Sequence, residues 1–116
     1  MAVIAFTVST DPSFGQRNQL ITWTNVLKTD TTSPFQQGSL ADRSVQVGGT
    51  FDSGTVVLEG SNDGVTYFTL TDPAGVALSF TSAGFKQVLQ VCKYMRAGVS
   101  GGTAPSITIN LFVVGK

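Results

Sequence analysis

The chain contains no histidine, so it lacks the side chain that most often serves as a general base and as a zinc ligand, and the only one that titrates unperturbed near neutral pH. Hydrolase triads built on histidine are excluded with it. Acidic side chains are also few, with Glu59 the sole glutamate. A catalytic pair of carboxylates would have to be assembled from that residue and Asp11, Asp30, Asp42, Asp52, Asp63 and Asp72. Asp63 and Asp72 fall in turn sequences, where aspartate is favoured because it bonds its own backbone. The single cysteine, Cys92, rules out an intrachain disulfide. With no histidine to take its proton, it reads as a small buried hydrophobe. Seven lysines and arginines balance seven acids and form no basic stripe, so no nucleic-acid partner is expected. No apolar run approaches membrane-spanning length, and the opening run from Met1 to Phe6 breaks at Thr7, short of a signal segment. No membrane association is expected, and synthesis is expected in the cytoplasm of a host cell, with no encoded route out except lysis or a partner.

What is present is a low-charge, strand-forming chain. Hydrophobic residues make up 41% of its 116 residues and charged residues 12%, the latter about half of the ~25% usual in soluble domains. Its surface must therefore be polar through Thr, Ser, Asn, Gln and Gly. Few charges mean weak repulsion between copies, which suits assembled structural proteins. The length fits one domain, 1–116, because halving it would leave two marginal cores.

Short runs rich in Val, Ile, Thr, Phe and Tyr recur between Gly, Asp, Asn and Pro, and helical periodicity is nearly absent, so the fold class expected is all-β, an antiparallel β-sandwich of about nine strands. The strands expected are Val3 to Ser9, Leu20 to Leu27, Ser44 to Thr50, Thr55 to Ser61, Tyr67 to Leu70, Ala77 to Phe80, Gln87 to Val91, Tyr94 to Val99 and Ser106 to Val114. In the last of them Ile107, Ile109, Leu111 and Val113 share a core face, and Thr108, Asn110 and Phe112 take the other. Ser61-Asn62-Asp63-Gly64 predicts a hairpin, and Thr71-Asp72-Pro73-Ala74-Gly75 a tight turn. Gly48-Gly49 predicts a bulge or a close backbone approach. Gly98 to Pro105 reads as an exposed loop, and Lys28 to Arg43 as a long irregular segment, possible binding arm included.

Most aromatics lie inside predicted strands, where packing is their default role. Phe14, between Pro12 and Gly15, and Phe35, after Pro34, fall in irregular sequence. These two, with Trp23, are the candidate protein-interface residues; the alternative for Phe14 and Phe35 is that each caps an end of the sandwich. No catalytic residues, cofactor or metal are expected. Calcium, held by Asn62, Asp63 and Asp72, is the one exception weighed, although no calcium-loop spacing is present.

The segments Ser44-Val-Gln-Val-Gly-Gly-Thr-Phe, then Thr55-Val-Val-Leu-Glu-Gly-Ser-Asn-Asp-Gly-Val-Thr-Tyr-Phe-Thr-Leu-Thr-Asp-Pro, then Lys93-Tyr-Met-Arg-Ala-Gly-Val-Ser-Gly-Gly resemble small proteins encoded with the capsid genes of tailed bacteriophages, the decoration or cement proteins. The likeness spans Ser44 to Val114. It implies a jelly-roll-like sandwich that sits as a homodimer or homotrimer on the outer capsid surface of the virion and bridges subunits of the major capsid protein, without a cofactor. Gly60-Ser-Asn-Asp-Gly-Val-Thr-Tyr-Phe with Tyr94-Met-Arg also looks like part of discoidin-type carbohydrate-binding sandwiches. Against that second likeness, the chain is shorter than those domains and has one cysteine where they usually have a pair. A neck-, tail- or fibre-associated phage protein is the remaining alternative.

Overall fold

In a computed structural model of the chain, residues 3–10, 19–36 and 40–115 are described. They form strands β1 (Val3–Ile4), β2 (Thr7–Thr10), β3 (Gln19–Leu27), β4 (Thr31–Thr32), β5 (Phe35–Gln36) and β6 (Leu40–Thr50). After these come β7 (Gly54–Ser61), β8 (Phe68–Thr69), β9 (Ser79–Phe80), β10 (Gly84–Gln87), β11 (Tyr94–Gly101) and β12 (Ser106–Gly115). There is no helix among the described residues, and the fold is all-β. One sheet has the order β10-β6-β12-β3-β2; the other runs β1-β4-β11-β7-β8, with β5 beside β11 and β9 beside β7. Every pairing is antiparallel except β1 with β4.

Alternation within strands sends one face of each sheet into a shared core. Ile107, Ile109, Leu111 and Val113 of β12 are fully buried, as the period-two pattern requires, and face Val45 and Val47 of β6 and Ile21 and Trp23 of β3. The other sheet contributes Val56 and Leu58 of β7 and Met95, Ala97 and Val99 of β11. Such packing is the two-layer sandwich of alternating strands.

Several local expectations are corrected. Val3 to Ser9 is not one strand: the chain passes from one sheet to the other at Ala5–Phe6, where the Phe6 ring turns in to meet Trp23 edge-on at 6.2 Å and Phe35 at 5.7 Å. The strand expected at Gln87 to Val91 begins and ends earlier, as β10. Beyond it, Val88 is buried with its amide bonded to Arg43 O, while Leu89 donates to Thr71 O, so this stretch is a crossing between sheets. The described part of the Lys28 to Arg43 segment is not an arm. Thr32 Oγ1 accepts from Ala97 N and donates to Ala97 O, stitching β4 to β11, and β5 pairs with the start of the same strand. The Gly98 to Pro105 loop is shorter than expected because β11 runs on to Gly101, and Ala104 N is held by Asp52 Oδ2.

The Asp72 turn forms, with Gly75 N donating to Asp72 O and Gly75 at a φ of 84°. At Gly48-Gly49 the register between β6 and β12 is continuous; the bulge lies on β3, where Ile107 and Ile109 meet Val26 and Trp23 and Asn25 takes a φ of 54°. Gly49 instead answers a close approach. It has a φ of 113°, and a Cβ there would sit 2.5 Å from Ser106 O.

Candidate functional site

Trp23 and Phe35 belong to the core, with 0% and 7% of their surface exposed. Trp23 shares the parity of Ile21 on β3, and its Nε1 donates to Ser33 O across 3.0 Å. Phe35 is drawn in by the pairing of β5 with Met95 of β11. Neither presents a surface to a partner, so their assignment as interface residues is corrected: both hold the subunit itself together. Phe14 lies outside the described residues.

The hairpin between β7 and β8 forms as expected, but its loop is wider than an Asn-Gly-type turn and is organised by Asp63. Asp63 Oδ1 accepts from Val65 N, Thr66 N and Ser61 Oγ. These bonds, the Val65 and Thr66 amides foremost, favour the carboxylate and hold its pKa down to about 2. Asp72 Oδ1 accepts from Ala74 N and Val76 N, so Asp63 and Asp72 are each engaged in their own turns, while Asn62 Oδ1 accepts from Lys93 N just before β11. Among the described residues no three His, Cys, Asp or Glu side chains gather into a metal-binding group. Because the folded pKa of Asp63 lies below the unfolded value of ~3.9, the stability it lends is complete above that value and lost as pH falls toward 2. An NMR titration of its carboxyl should find a midpoint near 2, and Asp63→Ala should speed amide exchange at Val65 and Thr66. A midpoint near 4 would contradict the loop geometry.

The two outer faces differ in what they leave open. On the seven-stranded sheet, Arg96 pairs with Glu59 at 3.0 Å and stacks 3.7 Å from the centre of the Tyr67 ring. Its charges are occupied by neighbours. On the five-stranded sheet the register aligns two outward rows, Phe85–Gln46–Asn110–Thr22–Thr7 and Gln87–Ser44–Phe112–Leu20–Ser9. Each of these side chains is at least partly exposed, and neither row holds a charge. Thr22 Oγ1 donates to Asn110 Oδ1 at 2.8 Å, fixing the middle of the face.

Phe85, 68% exposed, and Phe112, 37% exposed, stand on two sides of an open groove of about 300 Å³. Asp42, Arg43, Ser44, Gln87 and Val114 complete its lining. Arg43 points inward, where its Nη2 donates to the carbonyls of Leu89 and Gln90. Burial lowers its pKa, and nearby Cys92 and Asp42 partly oppose that shift. A second open pocket, about 380 Å³, lies beside the β7–β8 hairpin between the exposed Phe68 and Val91. Cys92 lines it and is half-buried, not fully as expected, and desolvation pushes its thiol pKa up.

The aromatic sheet face, whose two outward rows hold no charge, is thus one open surface and the hairpin side with Phe68 and Val91 another, and the sheet face is not legible in the sequence. The alternation of β12 puts Phe112 on the face opposite the core, but Phe85 carries no such signal, because its orientation depends on pairing with Gln46. Fold and face together define a β-sandwich with an open aromatic-and-amide sheet surface. No protein-family model matches the chain, and no curated protein matches it.

Proposed function

We propose that this chain is a non-enzymatic virion structural protein, a decoration or cement protein that grips the outer capsid surface and stabilises it by bridging major capsid subunits. The single observation that supports this reading most is the five-stranded face. The sheet presents two exposed phenylalanines amid amides and hydroxyls, with charge among the described residues of this face confined to its margin at Asp42. Interface centres are commonly depleted of charge and enriched in aromatics, with polar groups around them. The resemblance of Ser44 to Val114 to capsid-associated phage proteins points the same way, and the jelly-roll-like path belongs to that resemblance. Contact would be made by strands of the five-stranded sheet, since Phe35 is buried in β5.

Function is then mechanical. Interface buried across neighbouring subunits opposes the outward pressure of packaged DNA. Adding the purified protein to capsids that lack it should raise the temperature at which the particles release their DNA. An unchanged release temperature at saturating protein would refute cementing. The same face also supports a carbohydrate-binding reading, since rings beside amides suit neutral sugars. A glycan array discriminates: selective binding abolished by Phe112→Ala, with no capsid binding, would favour that class.

A further inference from the structure

The pocket beside the β7–β8 hairpin joins an apolar hollow to a single carboxylate. Its outer walls are Phe68 and Val91, 69% and 75% exposed, and its deeper lining is the buried Leu70 with half-buried Cys92. Gln90, which also lines it, directs both ends of its carboxamide to Thr71. The one formal charge on the lining is Asp63. Three donors already converge on its Oδ1, the amides of Val65 and Thr66 and the hydroxyl of Ser61, whereas Oδ2 takes no hydrogen bond among the described residues. Nor is Asp63 in an ion pair among them. Lys93 turns its ammonium toward the Tyr94 ring, 5.4 Å from its centre, and Arg43 is buried against the carbonyls of Leu89 and Gln90.

We infer that this pocket receives a lysine side chain of a partner protein, its methylene stem between Phe68 and Val91 and its ammonium on Asp63 Oδ2. Lysine has the division the pocket asks for, an apolar stem that buries and a charged head that stays at the wet edge. The carboxylate selects it over arginine. A guanidinium is matched best by a fork of two oxygens, and Oδ1 is already filled, whereas an ammonium is a point charge that one oxygen serves. A neutral occupant would leave the carboxylate without a partner as water is displaced, and an acidic one would be repelled. The walls select the bearer. A free amine would leave most of Phe68 and Val91 in water, while a polypeptide carrying the lysine covers both. The site lies on the seven-stranded sheet, so this inference goes beyond the capsid reading and does not rest on it.

An NMR titration of the full-length, isotope-labelled protein tests it, with the end-capped peptide Ala-Leu-Lys-Leu-Ala as the probe. Saturable amide shifts should centre on Gly60, Phe68, Val91 and Cys92. Acetylating the lysine Nζ should weaken binding ~5-fold or more, the change expected when a well-placed exposed ion pair is lost. Arginine in place of lysine, and free n-butylamine, should each bind more weakly than the lysine peptide. Asp63→Asn keeps an Oδ1 acceptor for the Val65 and Thr66 amides, so it should abolish the preference for lysine over acetyl-lysine without speeding exchange of those amides. Should that variant disturb the loop, salt decides on the wild type: lysine-peptide binding should fall as sodium chloride rises, and acetylated-peptide binding should not. Equal binding of the two peptides, tighter binding of arginine, a lysine preference that survives Asp63→Asn, shifts centred elsewhere, or no saturable shifts would overturn the inference. Butylamine binding as tightly as the peptide would overturn its assignment to a protein partner. No capsid enters the measurement, so each of these failures leaves the proposed function standing.

Discussion

Trp23→Ala should lower stability by about 3–5 kcal/mol, the range for removing a large aromatic from a core. In a domain of this size that corresponds to a fall in thermal midpoint of roughly 10–25 °C. The indole is fully buried between the sheets, meets Phe6 edge-on, and donates to Ser33 O. Truncation removes all three contributions and leaves a cavity where β3 faces the other sheet. Trp23→Phe should cost less, because most of the volume remains while the bond to Ser33 is lost. Thermal unfolding followed by circular dichroism measures both. A Trp23→Ala midpoint within a few degrees of wild type would return Trp23 to the candidate interface and contradict its place in the core.

The double substitution Phe85→Ala with Phe112→Ala should do the reverse. Both rings stand on the solvent side of the five-stranded sheet, so folding stability should change by no more than ~1 kcal/mol. Capsid binding should weaken by at least ~30-fold, because central aromatics commonly carry ~2 kcal/mol or more of an interface. Binding isotherms on capsids lacking the protein, read beside thermal melts, separate the effects. Equal capsid affinity in the double variant would remove the sheet face from the contact.

These opposite expectations show where the sequence was informative. The alternation Ile107-Thr108-Ile109-Asn110-Leu111-Phe112-Val113 encodes both faces of β12, because side-chain direction reverses at every residue of a strand. The same parity in Leu20-Ile21-Thr22-Trp23 puts Trp23 with the core. That register, on a strand whose inward face is core, is what excludes it from the interface. The β7–β8 hairpin and the Asp72 turn were legible because Asp and Gly act locally. Thr31–Thr32 and Phe35–Gln36 were not, since two-residue strands have no period and exist only through pairing with distant strands, β1 and β11 for the first and β11 for the second. Phe85 was hidden for the same reason: its exposure follows from a partner on β6 some forty positions earlier in the chain, and no local pattern records it.

The most direct test of the cement assignment is a cryo-electron microscopy reconstruction of capsids lacking this protein, mixed with the purified chain. The expected result is ordered density on the outer shell, bridging neighbouring major capsid subunits, with Phe85 and Phe112 of the five-stranded face turned toward the shell. Density confined to the neck or tail, density with that face turned to solvent, or particles carrying none of the protein would contradict it.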